Sequence, residues 1–163
     1  MNDIEIAEER AEANKNMLEW TELKELWMLK AFGFIRDKFS SEFIKNHIFR
    51  VVHILNIAMK GQKYDHAIML SAALLHDVLE DTNVTYDQLL KEFGPTIANL
   101  VLEVTHEKSK DGGYCFPRLK SREAIVLKYA DRLANLSSIP EFWRGEEERI
   151  DKYYEKSRFW KSN

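Results

Sequence analysis

Residues 72–82 have the sequence AALLHDVLEDT, in which an apolar run is followed by five side chains that can bind a cation or activate water. The apolar positions around this stretch recur at helical spacing, which predicts a buried helix that begins near Asp65. His76 and Asp77 should then lie near its inner, C-terminal end. Packing alone gives no reason to place so many polar groups there, so the stretch indicates an enzyme.

On an ideal helix these polar side chains form two pairs, His76 above Glu80 and Asp77 above Asp81, because residues four apart share a face. Burying ionised carboxylates without a partner costs several kcal/mol, comparable with the net stability of a small domain. A bound divalent cation would offset that cost. Mixed imidazole and carboxylate ligands suit Mn, Fe, Zn or Mg, and such a site usually needs about four or more donors.

The remaining ligands must come from other parts of the chain. His47 lies in the amphipathic run 43–52, and Asp131 lies in the run 125–136. Each residue falls on the predicted inward side of a helix. The sequence therefore predicts that three separate helices contribute to one site.

A histidine on one helix, a His-Asp pair on a second and a later Asp on a third resemble the HD-domain phosphohydrolases. Among these, the chain is similar to the hydrolase domain of RelA/SpoT-type (p)ppGpp enzymes and to their small single-domain relatives. The resemblance extends from about Asn46 to about Leu136. The motifs that carry it are HDVLEDT at 76–82, Phe93-Gly94, Val104-Thr105 and KYADRLANL at 128–136.

The resemblance implies an all-α fold, a compact HD-domain helical bundle of about six to eight helices. It implies that Glu80 and Asp81 handle an attacking water, and that Asn135 contacts the nucleoside part of a substrate. It favours Mn²⁺ as the bound ion, with Fe, Zn or Mg as alternatives. The metal ligands that it implies are His47, His76, Asp77 and Asp131.

Two basic residues of the last motif, Lys128 and Arg132, are candidate phosphate-binding groups, and surface or ion-pairing positions are an equal alternative. Three further histidines are set aside as ordinary structural residues. His53 should point to another part of its helix, His66 lies in a first turn, and His106 begins a charged loop.

The activity that the resemblance implies is a metal-dependent (p)ppGpp-like 3′-pyrophosphohydrolase that uses a metal-activated water. Two features differ from that branch of the family: Ile48 replaces the usual proline, and residues 36–45 lack the basic, glycine-containing loop and tyrosine that hold guanosine. Two alternatives therefore stay open. One is an HD-type phosphatase or triphosphohydrolase of another (deoxy)nucleotide. The other is a non-catalytic module that binds a nucleotide or a partner around a structural metal.

Local signals predict several helix boundaries. Ser40-Ser41 is typical of a helix start, and Thr85 with Gln88 fits a capping box. Gly94-Pro95 predicts a break between two helices. The helix through Asp131 is predicted to end before Pro140, and no strand-like alternation is present. The predicted organisation is one domain over 1–163, with a helical segment at 1–37, a core motif region at about 41–140, the longest internal loop at 107–117 and a last helix at about 145–160.

Composition limits the classes of partner. The formal net charge of −3 gives no general attraction to nucleic acid. No segment has the length and apolar character of a membrane span, the acidic start lacks the features of a signal peptide, and a single cysteine, Cys115, suits a reducing compartment. We therefore expect a cytoplasmic protein with a small-molecule nucleotide substrate and without a nucleic-acid or membrane partner. No synthetase domain is evident, so any activity should be hydrolytic only.

Two groups of residues stay ambiguous in the sequence. The first is a basic segment that either supplies positive potential near the metal or is a solvated loop. The second is a set of tryptophans that pack either on the core or on a second subunit of a homo-oligomer. The basic residues are Lys108, Lys110, Arg118, Lys120 and Arg122, and the tryptophans are Trp20, Trp27, Trp143 and Trp160.

Overall fold

The structure is a computed structural model that describes residues 25–108, 114–142 and 145–156. Within these ranges the chain is helical apart from one short ribbon, so the predicted all-α class is confirmed. The ribbon is an antiparallel pair that the sequence did not predict, and it lies inside the predicted loop at 107–117. In chain order the elements are α1 (residues 25–35), α2 (Ser41–Phe43), a π-helical turn (Ile44–Ile48), α3 (Phe49–Ala58), α4 (His66–Leu75), α5 (Val78–Asp81), α6 (Tyr86–Val104), β1 (Glu107–Lys108), β2 (Tyr114–Cys115), α7 (Arg122–Phe142) and α8 (Glu147–Lys156).

Side-chain caps begin three of these helices where the sequence predicted. The Ser40 hydroxyl accepts from the Phe43 amide, and Asp65 accepts from the first amides of α4. Thr85 and Gln88 form both bonds of a capping box at the start of α6. Each cap satisfies amide groups that have no partner inside the helix, so these boundaries could be recognised from local sequence alone.

Helices α2 and α3 form one continuous rod that passes through the π-helical turn. The residues on both sides of the turn keep right-handed helical angles, and a buried stripe continues along the rod at Ile44, Ile48, Val51 and Leu55. A π turn contains one residue more than an α-helical turn and is frequent at functional sites. His47 lies within it.

Helix α4 is the centre of the molecule. Every residue from Met69 to Leu75 is buried, and the helix contacts α3, α6 and α7. A helix that is apolar on all sides is stable only when other elements surround it. The predicted buried helix is thus confirmed, and its C-terminal end lies inside the protein.

The structure agrees with the prediction at Pro95 and differs from it at Pro140, which lies within α7. Gly94 has φ 75° and ψ 172°, which breaks α6 into two helical segments before Pro95, as predicted. The predicted end of α7 before Pro140 is wrong, because the helical backbone continues to Phe142. Proline removes one amide donor but has a φ that suits a helix, and only two residues follow it here.

Several predicted features lie outside the described residues. These are residues 1–24 of the N-terminal segment, the end of the C-terminal helix beyond Lys156, and three of the tryptophans. Trp27 is described, and its ring lies 6.3 Å from the ring of Phe93. None of the helices in the described part of the chain combines the length and apolar character that a membrane crossing requires.

Gly94 and Gly33 form a matched pair for a test of backbone strain. Gly94 occupies a region of positive φ that is nearly exclusive to glycine, whereas Gly33 lies in helix α1, and a Cβ atom at either position meets no other atom within 4 Å. We expect Gly94→Ala to lower the free energy of unfolding by about 1–3 kcal/mol. Gly33→Ala should be neutral or stabilising by up to about 1 kcal/mol. Urea unfolding measures both, and equal effects would contradict the assigned strain.

Candidate metal centre and active site

The candidate site lies where the central helix ends. Helix α4 stops at Leu75, His76 and Asp77 form a turn, and α5 begins at Val78. Asp77 has φ −96° and ψ −3°, in the sparsely allowed region that many active-site residues occupy. The turn separates His76 from Glu80, which lies in α5, although the Asp81 amide still donates to the Asp77 carbonyl over 2.9 Å as in a helix.

Four side chains converge at this turn from three parts of the chain. The Nε2 atoms of His47 and His76 lie 3.2 Å apart. Each of these nitrogens lies 3.1–3.7 Å from Oδ2 of Asp77 and Oδ1 of Asp131. All four side chains are largely buried, with exposed fractions from 1% to 12%.

The spacing of these atoms fits a single ion at their centre. Donors that bind an ion at about 2.1 Å in tetrahedral or octahedral geometry lie about 3.0–3.4 Å from one another. The observed separations lie close to this range. Ligand atoms of His47, His76 and Asp131 form a group that could hold a metal, and the Oδ2 atom of Asp77 lies against both imidazoles.

The orientation of His76 also suits a metal ligand. Its Nδ1 atom lies 2.7 Å from the carbonyl oxygen of Ala73, and a carbonyl can only accept, so Nδ1 carries the proton. In the neutral imidazole this leaves a lone pair on Nε2, the atom that faces the cluster. A hydrogen bond of this kind is the usual way in which a protein fixes the tautomer and the ring of a metal-binding histidine.

Two neighbours on α7 hold Asp131. The Lys128 ammonium lies 3.1 Å from Oδ2, and the amide of Asn135 donates to Oδ1 over 2.9 Å. These residues lie three before and four after Asp131, which places all three on one face of the helix. Only 3% of the Lys128 side chain is exposed. Of the alternatives that the sequence left open for Lys128, the structure therefore shows an internal ion pair with Asp131 and not a surface position.

The electrostatics of the cluster favour a cation among its carboxylates. Burial opposes the ionised form of Asp77, but the charge of His76 and hydrogen bonds from both imidazoles outweigh it and hold the pKa of Asp77 well below its ordinary value. Hydrogen bonding to His76 and the charge of Lys128 lower the pKa of Asp131 in the same way. In the metal-free protein the two carboxylates raise the pKa of His76 despite its burial.

Glu80 and Asp81 lie beside the cluster but differ in their surroundings. Both line a cavity of about 220 Å³ together with His47 and Asp77. Hydrogen bonds from His106 lower the pKa of Glu80, although burial opposes this shift. Asp81 is exposed, and partial burial with the charges of Asp77 and Glu80 raises its pKa.

His106 is the site residue that the sequence did not identify. It begins the irregular segment after α6, as predicted, but it was set aside as an ordinary structural residue, whereas its backbone amide and its ring both contact Glu80. The residues are 26 positions apart, so no local spacing could reveal the contact. Val104-Thr105, noted in the sequence, directly precedes it and was the nearest available signal.

A larger cavity of about 670 Å³ opens on the other side of His47 and contains the remaining predicted substrate residues. Arg132 and Asn135 line both cavities. The guanidinium carbon of Arg132 lies 5.0 Å from the ring centre of Tyr153 on α8 and 5.9 Å from that of Phe116. This stack gives the cavity an aromatic and cationic wall.

The basic segment lies elsewhere as far as it is described. The Arg122 guanidinium stacks on Tyr64 and donates to Gln62. The Lys120 amide donates to Glu103. Neither cavity has Arg118, Lys120 or Arg122 in its wall.

The sequence around this site matches a known family. The HD-domain family model matches residues 31–111, which include His47 and the His76-Asp77 turn. The match covers just under half of the chain. The matched segment begins in α1 and extends past His106, so the HD domain accounts for three of the four converging side chains.

Curated relatives extend the similarity beyond this segment. Guanosine-3′,5′-bis(diphosphate) 3′-pyrophosphohydrolase MESH1 of Xenopus tropicalis is 34% identical over 126 residues, which cover 68% of this chain and 64% of that protein. The enzyme of the same activity from Aquifex aeolicus is 32% identical over 134 residues, which cover 76% of this chain and 19% of that protein. The chain thus spans just under two thirds of the first relative and a small part of the second.

A solved structure has the same HD fold. It is described as a metazoan ortholog of SpoT that hydrolyzes ppGpp and plays a role in starvation responses. The TM-score is 0.63 at 25% sequence identity, and the superposition covers 81% of this chain and 82% of that chain. The predicted resemblance to the hydrolase domain of SpoT-type enzymes is therefore confirmed.

The titration of His76 gives a test of metal binding that does not require a substrate. Because the folded-state pKa of His76 is raised above 6.5, its protonation stabilises the metal-free fold fully below pH 6.5, and this stability is lost as the pH rises. A metal ion competes with the proton for Nε2, so its stabilising effect should grow with pH. In EDTA, we expect the urea concentration at the unfolding midpoint to fall as the pH rises from about 6 to about 9. Over the same range, the increase in this midpoint caused by added Mn²⁺ should become larger.

The exposed His53 on α3 provides the control for this measurement. His53→Ala should leave both pH trends unchanged, whereas His76→Ala should remove the effect of Mn²⁺. A stabilisation by Mn²⁺ that is independent of pH would contradict the assignment of His76 as a ligand.

Proposed function

We propose that this chain is a metal-dependent phosphohydrolase that releases pyrophosphate from the 3′ position of a (p)ppGpp-like nucleotide. One observation carries the proposal: a buried group of two imidazoles and two carboxylates lies beside a second carboxylate pair at the mouth of a cavity. The pyrophosphohydrolase activity of the curated relatives gives further support.

In this proposal His47, His76, Asp77 and Asp131 hold the ion, and Mn²⁺ is the ion that we favour. When bound, such an ion supplies positive charge that lowers the pKa of a nearby water and offsets charge that develops on phosphoryl oxygens. Lys128 and Asn135 keep the Asp131 carboxylate ionised and oriented. The Ala73 carbonyl accepts from Nδ1–H of His76 and so orients this ring.

Glu80 and Asp81 handle the attacking water. Glu80 is ionised at neutral pH because its pKa is lowered, so its carboxylate can accept a hydrogen bond from water and orient it. Asp81 is exposed and lines the same cavity, so its carboxylate can accept the proton that the water gives up. The oxygen of the water bonds to phosphorus, the 3′-oxygen leaves, and that oxygen takes up a proton.

The nucleotide occupies the larger cavity. Arg132 is buried, and its Nε has no hydrogen-bond partner within the described residues, so it can donate to an anionic ligand. Asn135 lines the same wall. Lys128 lines only the smaller cavity, where it contributes positive charge near the phosphate that reacts.

A substrate panel in the presence of Mn²⁺ tests the activity. We expect pyrophosphate to be released from ppGpp. Release of inorganic phosphate or triphosphate from a deoxynucleotide, without turnover of ppGpp, would contradict the proposed substrate. It would still support a hydrolytic activity. Absence of turnover on every nucleotide, with metal bound, would favour a binding module.

Conservative changes test the two carboxylates. Glu80→Gln and Asp81→Asn remove the charge with little change of shape, so we expect kcat to fall by about 10²–10⁴-fold while the protein keeps its metal and stays folded. Glu92→Gln is the matched control, because Glu92 pairs with Lys30 at the surface. Steady-state kinetics and metal analysis give the result, and wild-type rates in both variants would exclude these residues from the chemistry.

The cavity wall before His47 contains Ser40, Glu42 and Phe43. The Glu42 carboxylate can accept hydrogen bonds from a nucleotide and repels a phosphate group. This wall therefore suits a part of the nucleotide that carries no phosphate, and the substrate panel separates ppGpp from the deoxynucleotides.

A further inference from the structure

Glu80 is held by two donors of one residue. The backbone amide of His106 donates to Oε1 of Glu80 over 2.7 Å, and the ring Nδ1 of His106 lies 2.9 Å from the same oxygen. A carboxylate oxygen has about two lone-pair sites, so these donors occupy Oε1. The second oxygen of Glu80, Oε2, is thereby left as the one that can act on a water.

The His106 ring is itself fixed. Phe116 meets it edge to face, with 5.7 Å between ring centres and 82° between the planes. The Lys128 ammonium also lies 3.5 Å from Nδ1, but it carries only donors and so makes no hydrogen bond to an Nδ1–H that donates to Glu80. Since His106 lines both cavities, the contact with Glu80 stands at the point where the two cavities meet.

We propose that His106 is a positioning residue for Glu80, which binds Oε1 through two N–H groups and presents Oε2 to the attacking water. This inference rests on the proposed function, because it assigns a role within the same reaction. His106 acts through Glu80 and needs no contact with the substrate. Groups that orient a reacting side chain in this way commonly contribute about 10–100-fold to activity.

A comparable contact outside the site separates positioning from structural support. Glu103, in the last turn of α6, accepts hydrogen bonds from the Ser121 amide and the Ser121 hydroxyl. This contact, like that of His106 with Glu80, joins the irregular chain between α6 and α7 to a helix. It lies away from both cavities, so its loss should change stability without changing the chemistry.

Three variants of the full chain test the inference with Mn²⁺ and ppGpp. His106→Ala removes the ring donor, whereas His106→Asn keeps an N–H at nearly the place of Nδ1. We expect His106→Ala to lower kcat by about 10–100-fold with KM and metal content unchanged. His106→Asn should restore kcat to within about threefold of wild type. Ser121→Ala should lower the unfolding midpoint and leave kcat at the wild-type value.

Two results would overturn the inference: a wild-type kcat in His106→Ala, or a loss in His106→Asn as large as that in His106→Ala. Failure of the proposed function is distinguishable, because the wild-type protein would then release no pyrophosphate. In that case crystal structures of the same variants decide the point. The Glu80 carboxylate should keep its orientation in His106→Asn and turn away in His106→Ala, and an unchanged carboxylate in both would exclude positioning by the ring.

Discussion

The structure depends on the need to neutralise two buried carboxylates at the end of an apolar helix. Asp77 and Asp131 face each other's charge inside the protein, where water cannot screen it. The two imidazoles and Lys128 lie next to these carboxylates and offset part of their charge. A divalent cation is the partner that best matches the two imidazoles and two carboxylates together. The rod that carries His47 and the helix α7 that carries Lys128 and Asp131 both pack against α4, so the packing of the fold also assembles the site.

The position of α4 explains why a short break in the helix has so large an effect. An interior helix that ended at the surface would expose its last polar residues to water. Here the end is internal, and the turn at His76-Asp77 directs both side chains toward His47 and Asp131. The unusual backbone of Asp77 is tolerated because the packed helices on all sides fix it.

Much of the fold could be predicted because the signals are local. Asp65, Thr85 and Gly94 each act through hydrogen bonds or backbone angles within a few residues, and a sequence displays these directly. The order of the motifs predicted that four side chains converge: His47, His76, Asp77 and Asp131. This order has a meaning only because the chain resembles a family. The contact between His106 and Glu80 could not be predicted, since it depends on where the ribbon returns to α5. The burial of Lys128 is a similar case, because its face of α7 is decided by the rest of the bundle.

The π-helical turn around His47 has a consequence for the history of the chain. Such a turn holds one surplus residue, and that residue rotates the two halves of the rod by about 100° relative to an uninterrupted helix. The turn also belongs to the core, since Ile44 and Ile48 lie within it and are buried in line with Val51 and Leu55. Deleting one residue here would turn one half of that stripe away from the core and His47 away from Asp131 at the same time. Packing and the site therefore fix the length of this rod together over the history of the chain.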